Sequence, residues 1–293
     1  IPELPILILP DYTSSNIPIM LFPVEINGKW GYIDEHGNMA YEPQFEYARE
    51  FSENLAPVRN YNGMWGYIDK KNGYIIPLYF NDADKFSEGV APARINKLYG
   101  YIDKEGEYVI SPQFDIAKPF SDGMAAVKMS DQWGFINRAG ILTIPPRFAT
   151  APSDFSQGLA AIKDTNGKYG FIDKKGNLAI FPDFEMADSF KEGLAPVRMG
   201  QRWGFVNKSG KFIISPKYAE AKQFSNGLAA VRINGKWGYI NKSGIAVIKP
   251  KFELAENFSK GLAKVTVITA ERGIEDGYID TKGKIIWTTD KLG

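Results

Sequence analysis

The chain alternates short apolar segments with clusters of turn-forming residues, a pattern that predicts many short β-strands. Residues 227–233 are rich in aliphatic side chains, and Asn234-Gly235 follows them directly. Because Asn-Gly supplies the two positive-φ positions of a type I′ turn, this stretch predicts a β-hairpin. Its second strand, residues 236–240, places Trp and Tyr on one face and Gly and Ile on the other. The same turn is predicted at Asn27-Gly28, Asn62-Gly63 and Asn166-Gly167.

A second turn and a third strand extend this hairpin. Residues 241–244, Asn-Lys-Ser-Gly, indicate a turn because Asn favours its start and Gly its end. We expect the third strand, residues 245–248, to stop at Pro250, which has no N–H to donate to a ladder. Gly238 in the second strand predicts the close approach of another backbone or a large ring. We expect an aromatic ring of a neighbouring repeat to cover this glycine.

The three-strand pattern recurs eight times along the chain. An aromatic-Gly-aromatic-aliphatic-(Asp/Asn) string returns at intervals of 34 to 39 residues. The strings begin at Trp30, Trp65, Tyr99, Trp133, Tyr169, Trp203, Trp237 and Asp276. Copies close with a Ser-x-Gly-Leu element, in which Asn54 once replaces Gly and keeps the turn, because Asn tolerates positive φ.

A segment with a period of three links each third strand to the next copy. Its pattern is Phe/Tyr-x-x-Ala-x-x-Phe, as in Phe45, Ala48 and Phe51. This period predicts one or two turns of 3₁₀- or α-helix as a connector. Each repeat is therefore predicted to be a three-stranded antiparallel meander with a short connector. Such a unit is too small to bury its apolar face without a neighbour.

These elements predict an all-β fold, a tandem array of eight repeats of about 34 residues that forms an open β-superhelix or solenoid. A closed propeller-like ring is the alternative. Residues 6–12 match a third-strand element, so residues 1–20 are predicted to be an N-terminal capping half-repeat. Residues 21–293 are predicted to form one continuous domain of eight repeats. The eighth repeat has its own third strand at residues 284–287, which favours the open form.

The fixed order of these elements resembles the WG-repeat family of bacterial proteins, also called the WG β-repeat or KWG repeat. The resemblance covers nearly the whole chain. Tyr99 and Tyr169 keep the aromatic ring of the string, whereas Asp276 loses it. The resemblance implies a bacterial origin and a role in interactions.

Composition excludes several classes of function. The 293 residues contain 35 Lys+Arg and 34 Asp+Glu, and a nucleic-acid partner would usually require a clear basic excess. No apolar run approaches the ~20 residues of a membrane-spanning helix. With no Cys and one His, disulfides, thiolate metal sites and most His-based chemistry are excluded. We therefore expect no nucleic-acid partner and no membrane span.

Candidate catalytic groups are sparse, and we expect no catalytic residue, no metal, no cofactor and no enzymatic activity. His36 lies in a turn position that other repeats fill with unrelated residues, which favours an exposed turn residue over a base or ligand. The turn acids exchange with Asn between repeats, which favours capping of backbone N–H groups: Asp34, Asp69, Asp103 and Asp173. A hydrolase would need acids from other positions to face each other across a cleft: Glu42, Asp84, Asp154 or Glu220.

The periodic aromatic residues allow two interpretations. They fill space between adjacent repeats, because each ring buries ~150–250 Å² and a repeat array must bury one face per unit. Alternatively, they form an exposed ladder on which sugars or peptides stack. The flanking glycines and strict period favour packing. The repeat-defining aromatics are Trp30, Trp65, Tyr99, Trp133, Tyr169, Trp203 and Trp237.

Charge is distributed unevenly between the two halves. Residues 1–146 hold 12 Lys+Arg and 19 Asp+Glu, a net charge of −7, and residues 147–293 hold 23 and 15, a net charge of +8. This polarity allows an acidic protein or envelope polymer to dock on the basic half, or copies to associate head to tail. The candidate binding residues are Arg198, Arg202, Lys217 and Lys251.

The primary hypothesis is a non-enzymatic interaction or scaffold protein that binds a protein or cell-envelope partner. The alternative is carbohydrate binding through exposed Trp and Tyr. The sequence begins at Ile1 rather than Met, from which we expect a mature or trimmed product. An exported or cell-envelope location is favoured over the cytoplasm, and the absence of Cys fits it.

Overall fold

The computed structural model describes residues 20–71, 73–269 and 273–288. The chain divides into two compact units, Ile1–Pro146 and Arg147–Gly293. The predicted capping half-repeat over residues 1–20 lies, apart from Met20, outside the described residues.

The described residues form thirty β-strands in eight antiparallel sheets, one sheet for each repeat. The first four sheets contain β1 (Leu21–Ile26), β2 (Lys29–Asp34) and β3 (Met39–Phe45); β4 (Tyr47–Ala48), β5 (Ala56–Arg59), β6 (Trp65–Ile68) and β7 (Tyr74–Phe80); β8 (Asp82–Ala83), β9 (Ala91–Ile95), β10 (Leu98–Ile102) and β11 (Tyr108–Phe114); β12 (Ile116–Ala117), β13 (Met124–Met129), β14 (Gln132–Asn137) and β15 (Leu142–Phe148).

The last four sheets follow the same order. They contain β16 (Leu159–Lys163), β17 (Tyr169–Asp173) and β18 (Leu178–Phe184); β19 (Met186–Ala187), β20 (Ala195–Met199), β21 (Arg202–Val206) and β22 (Phe212–Tyr218); β23 (Glu220–Ser225), β24 (Leu228–Ile233), β25 (Lys236–Ile240) and β26 (Ala246–Phe252); β27 (Leu254–Ala255), β28 (Leu262–Thr269), β29 (Gly273–Asp280) and β30 (Ile285–Thr288).

Six of the eight sheets have a fourth strand, so the prediction of a helical connector is wrong. The described residues contain no helix, and the Ala of the connector pairs with the next sheet, as Ala48 does with Val58. In five of the six sheets the short strand lasts two residues before the chain bends into the Ser-x-Gly-Leu turn, and in the seventh sheet it extends over Glu220–Ser225. The period of three therefore marks a bent extended segment whose Phe side chains are buried and whose Ala side chains are buried in most repeats.

The connector that enters the fifth sheet is one residue longer than that of the second sheet, since Phe148 and Phe155 are seven positions apart and Phe45 and Phe51 are six. One ladder contact is kept despite the extra residue. The Ser153 N–H bonds the Ala161 carbonyl at 2.9 Å, as the Arg49 N–H bonds the Pro57 carbonyl at 3.0 Å. The longer connector forms no fourth strand, so the fifth sheet has three strands.

The motif glycine, which is the glycine of the aromatic-Gly-aromatic string, lies directly beneath the third strand of its own sheet. A Cβ added to Gly238 would lie 2.6 Å from the Ile248 carbonyl oxygen and 2.7 Å from the Pro250 nitrogen. The expected close approach of a backbone is therefore present, but the neighbouring repeat's ring that we expected over the gap is not what fills it. The third strand reaches this position through a bulge, since Trp237 pairs with Phe252 and Tyr239 pairs with Ile248.

The same bulge corrects the prediction that Pro250 ends the third strand, because β26 continues to Phe252. Proline is tolerated at a bulge because the local ladder is interrupted and its missing N–H has no partner to lose. The continuation brings a buried Phe or Tyr to the end of every third strand of the first seven sheets.

The hydrophobic core of each unit lies between successive sheets. In the first unit, separate clusters join sheets one and two, two and three, and three and four; in the second unit, the clusters join sheets five and six, six and seven, and seven and eight. The second aromatic of each motif packs against the next connector Phe, as Tyr67 does on Phe86 with ring centroids 4.9 Å apart. Each sheet thus needs a neighbour to bury its face.

Most predicted turns are confirmed. Asn27-Gly28 and Asn234-Gly235 have positive φ at both residues, as type I′ turns require, and Asn54 has φ of 71°. The prediction is wrong for Asn62-Gly63 and Asn166-Gly167, where only Gly has positive φ. In these longer loops a polar residue two positions before the Asn accepts backbone hydrogen bonds, which makes a different turn.

A hydrogen-bond ladder links the Ser-x-Gly-Leu turns of neighbouring repeats. The side chain at the x position accepts the backbone N–H of the next repeat's glycine, as Glu53 does from Gly89 at 3.1 Å and Glu192 from Gly227 at 3.2 Å. Gln157 does the same for Gly193 at 2.9 Å. A carboxylate and an amide therefore perform the same structural role at equivalent positions.

Replacing the buried motif glycine should destabilise the protein far more than replacing a turn glycine. We expect Gly238→Ala to lower the free energy of unfolding by ~3 kcal/mol or more, since the clash is with backbone atoms that cannot rotate away. The control is Gly235→Ala, which meets no atom within 4 Å and costs only the positive-φ strain of ~1–2 kcal/mol. Urea unfolding measures both, and equal losses would contradict the packing role.

The ladder carboxylate should make stability depend on pH. Burial opposes ionisation of Glu192, but the Lys242 ammonium at 3.0 Å and the Gly227 N–H together hold the pKa of the carboxyl below its usual 4.5. The ionised form is thus favoured by folding, so this stabilisation is present above pH 4.5 and is lost as pH falls through the lowered pKa.

We expect Glu192→Gln to lower the thermal midpoint at pH 7 by ~1–2 °C, the size typical of an exposed ion pair in a chain of this length. The difference should vanish near pH 3. Gln keeps the acceptor oxygen that Gln157 uses, so a difference that stays constant from pH 7 to pH 3 would argue against the charge contribution.

Candidate interaction grooves

Two grooves occupy the same place in different repeats. Each groove lies between two successive sheets, where the first aromatic of one motif meets the short strand that opens the next sheet. Three recurring positions line it: the motif aromatic, the basic residue at the end of the Leu-Ala-x-Val strand, and the residues flanking the connector Ala.

The arginine groove lies between the second and third sheets of the first unit and has a volume of about 370 Å³. It is lined by Tyr47, Arg49, Arg59, Trp65, Asn81, Asp82 and Arg94. Three guanidinium groups and one carboxylate therefore face this cavity.

Arg49 is held by carboxylates within the groove. Its Nη1 lies 2.9 Å from Asp84 Oδ1 and its Nη2 lies 3.6 Å from Asp82 Oδ1. Asp82 also accepts a hydrogen bond of 2.5 Å from the Tyr99 hydroxyl. Burial and this hydrogen bond to a carboxylate raise the pKa of Tyr99, so the phenol stays protonated and serves as a donor.

Arg59 and Arg94 are buttressed by aromatic rings. The Arg59 guanidinium carbon lies 5.9 Å from the Tyr47 ring centroid and 5.7 Å from that of Trp65, and Arg94 lies 5.7 Å from Tyr99. These are cation–π distances, which orient the guanidinium planes.

The methionine groove lies between the sixth and seventh sheets and has a volume of about 330 Å³. It is lined by Met186, Arg198, Trp203, Ala219, Glu220, Ala221, Lys222 and Trp237. Met186 and Ala219 stand where the arginine groove has Tyr47 and Asn81. The side chains at these two equivalent positions are therefore polar or amphipathic in the arginine groove and apolar in the methionine groove.

The structure places the four predicted binding residues in different surroundings. Arg198 lines the methionine groove, with its Nε 3.2 Å from Glu185 Oε2, and Arg202 is exposed at the start of β21. Lys217 and Lys251 are exposed on the third strands β22 and β26, over the rings of Tyr218 and Phe252. Of these four residues, only Arg198 lines one of the two grooves.

The repeat-defining aromatics differ in burial. Trp65, Trp133 and Trp237 are 4%, 7% and 4% exposed, whereas the other four rings are half-buried: Trp30, Tyr99, Tyr169 and Trp203. None is a freely exposed flat ring. Cations cover several of them, such as Arg49 over Trp65 at 4.8 Å and Lys222 over Trp237 at 5.6 Å.

The candidate catalytic acids make local contacts. The turn acids accept backbone N–H groups, as Asp34 does from His36 and Asn38 at 2.8 Å each. Asp84 pairs with Arg49, and Glu220 lies 2.6 Å from Arg232. Within residues 20–71, 73–269 and 273–288, no cluster of three His, Asp or Glu residues could hold a metal ion. The same part of the chain contains no helix with the length and hydrophobicity to cross a bilayer.

The arginine groove is not evident from the sequence of a single repeat. Its signal is the basic residue that follows the Leu-Ala-x-Val strand in most repeats, as at Arg59, Arg94, Arg198 and Arg232. Arg59 and Arg94 are 35 residues apart, and Arg198 and Arg232 are 34 residues apart. Because this spacing equals one repeat, the two arginines of each pair lie at equivalent places in neighbouring sheets.

Solved structures with similar folds support the architecture. The chain resembles BamB from Moraxella catarrhalis (10% identity, 89% of this chain and 94% of that chain, TM-score 0.54) and a eukaryotic initiation factor (12%, 92% and 94%, 0.54). It also resembles Hsv2 from Kluyvelomyces marxianus (9%, 80% and 95%, 0.53). At these identities the likeness shows the fold alone. No curated protein matches the sequence.

Within each of the two units, four sheets are arranged as the blades of a β-propeller, one sheet being one blade. The all-β prediction with eight repeats is confirmed, and the alternative, propeller-like architecture replaces the open superhelix that was favoured. The physical reason is that the repeats form eight separate sheets, and successive sheets of each unit pack through their faces, whereas a solenoid would join successive repeats into continuous ladders.

Seven tandem matches to one family model cover most of the chain, and that model is described as the WG containing repeat. The matched segments are residues 30–63, 65–99, 99–132, 133–169, 169–203, 203–237 and 237–267. The chain therefore belongs to the WG-repeat family.

Proposed function

We propose that this chain is a non-enzymatic interaction scaffold whose blades bind a protein or cell-envelope partner in the grooves between neighbouring sheets. The observation that carries the proposal is the pair of equivalent grooves with different linings. A constant backbone holds Tyr47 and Asn81 in one groove and Met186 and Ala219 at the same places in the other. Different side chains at equivalent groove positions are typical of a surface that selects partners.

The placement of polar groups supports binding rather than chemistry. His36 lies in a turn, and the turn acids are occupied with backbone N–H groups. Arg and Trp, two of the side chains enriched at interaction hot spots, line both grooves, and Tyr47 lines the arginine groove. A bacterial origin, which the family resemblance implies, and an exported or envelope location, which the absence of Cys fits, belong to the same proposal.

Burial of the indole rings favours protein segments over sugars as the partner. Sugar platforms need an aromatic face open to solvent, and Trp65 and Trp237 are nearly buried with cations above them. Carbohydrate binding becomes an outcome of the test below.

Head-to-tail association of copies is a further part of the proposal. It is supported by the opposite net charges of residues 1–146 and 147–293. Such association would weaken as salt screens the charges over a Debye length of ~10 Å.

Peptides selected from a random display library on the purified chain should bind in one groove or the other. We expect each selected peptide to lose affinity by about tenfold, or ~1.4 kcal/mol, either on Met186→Glu or on Tyr47→Ala. Fluorescence anisotropy measures these affinities. The matched control is Leu178→Glu, because Leu178 is similarly exposed but lies outside both grooves.

Two results would count against the proposal. One is that no peptide is enriched, or that all selected peptides bind both groove variants as tightly as the original chain. The other is that a panel of polysaccharides quenches the Trp fluorescence while peptides do not bind, which would favour the carbohydrate alternative.

A further inference from the structure

We propose that the arginine groove is a specific site for an acidic peptide segment, in which Arg59 and Arg94 bind an Asp or Glu carboxylate. The inference rests on the proposed interaction function and names the partner chemistry of one groove. Its basis is a surplus of oriented donors in a cavity whose own carboxylates are already occupied.

The two aspartates at the groove already have partners within it. Asp82 is held by the Tyr99 hydroxyl and by Arg49, and Asp84 is paired with Arg49 at 2.9 Å. Arg49 is therefore committed to these acids and leaves little charge for a ligand.

Arg59 and Arg94 keep donors to spare. Glu46 lies 3.0 Å from Arg59 Nε, and Arg94 Nη2 donates to the Asn81 carbonyl at 3.3 Å. Among the described residues, neither terminal nitrogen of Arg59 nor the Nη1 of Arg94 has a hydrogen-bonding partner. A planar guanidinium with free terminal N–H groups binds a carboxylate at two points.

Both guanidinium groups are oriented before a ligand arrives. Tyr47 and Trp65 flank Arg59, and Tyr99 flanks Arg94. The Asn81 side-chain oxygen accepts the Asn96 N–H at 2.7 Å, which fixes the amide at the groove wall. Pre-orientation lowers the entropy that binding must overcome.

A peptide fits this site better than other anions do. A sugar ring would need an open aromatic face, but Trp65 is 4% exposed and lies under Arg49. Nucleic acid requires an extended basic surface, and residues 1–146 carry a net charge of −7. One or two carboxylates at contact distance are favourable there, because the guanidinium groups lie within hydrogen-bonding reach while the remaining charges are screened.

The test compares fluorescein-labelled heptapeptides that contain two adjacent Glu residues with the same peptides carrying Gln instead, by anisotropy on the full chain. We expect the Glu peptides to bind at least tenfold more tightly. Arg59→Ala and Arg94→Ala should each weaken the Glu peptides about tenfold and leave the Gln peptides unchanged. Arg59→Lys keeps the positive charge but not the two-point geometry of the guanidinium. It should therefore restore only part of the affinity for the Glu peptides that Arg59→Ala loses.

The matched control is Arg232→Ala, the same position in the seventh repeat, where Glu220 at 2.6 Å already occupies the guanidinium. It should leave the affinity for the Glu peptides unchanged, and thermal melting confirms that each variant is folded. Equal affinity for Glu and Gln peptides, an equal loss on Arg232→Ala, or an Arg59-dependent affinity for polyuronate or inorganic phosphate without peptide binding would each overturn the inference.

The outcomes separate the two proposals. Library peptides that bind the methionine groove alone would overturn the acidic-peptide site and leave the interaction function standing. Failure of every peptide to bind either groove would overturn both.

Discussion

The contact between the motif glycine and the backbone of the third strand determines the geometry of every repeat. At Gly134, for example, an added Cβ would lie 2.6 Å from the Ile144 carbonyl oxygen and 2.8 Å from the Pro146 nitrogen. Only a residue without a Cβ lets the two strands approach this closely. The bulge that results turns the third strand so that its Ile and its final Phe both reach the core. The adjacent Tyr or Phe can then pack on the connector Phe of the next sheet, which is the contact that joins successive blades.

The fixed frame allows side chains to be exchanged between repeats, and the positions that line the grooves are among those exchanged. The eighth repeat shows how far the exchange can go. Asp276 replaces the aromatic, and Thr266 stands opposite it where the second to seventh repeats have Arg or Lys. The Thr266 hydroxyl donates to Asp276 at 2.6 Å and Lys264 lies 2.7 Å away. Burial opposes ionisation of Asp276, but these two donors keep its pKa below the usual value. The cation–aromatic pair has become a hydrogen-bonded ionic pair on unchanged backbone.

The sequence was sufficient to predict local structure where one residue type permits one geometry. Exchange of Asp with Asn at the second turn identifies a backbone cap without a neighbour. Asn-Gly predicted the type I′ turn at Asn234-Gly235 but not at Asn62-Gly63, where Asn60 caps a longer loop. The connector was mispredicted because its period of three reflects which side chains face two different sheets at a bend, a tertiary property. The occupant of the gap at Gly238 was mispredicted for a similar reason, since nothing local tells whether a ring or a backbone approaches a strand glycine. The arginine groove needs two repeats to be in contact before its lining exists, although each Arg was visible in the repeat pattern.

Net charge and the pairing of individual groups favour different halves of the chain for an anionic partner. Part of the acidity of residues 1–146 comes from turn residues such as Asp34 and Asp103, whose carboxylates accept neighbouring backbone N–H groups. These charges describe turn chemistry, and they recur because every repeat has the same turns. The field inside a groove depends instead on groups within about one Debye length, ~10 Å, and on whether each is already paired. By that criterion the terminal N–H groups differ between the halves, since Glu46 pairs with Arg59 through Nε, whereas Glu220 pairs with the terminal Nη1 of Arg232. We therefore expect pairing within the repeat, more than the sum of charges along the chain, to decide which surface accepts an anionic partner.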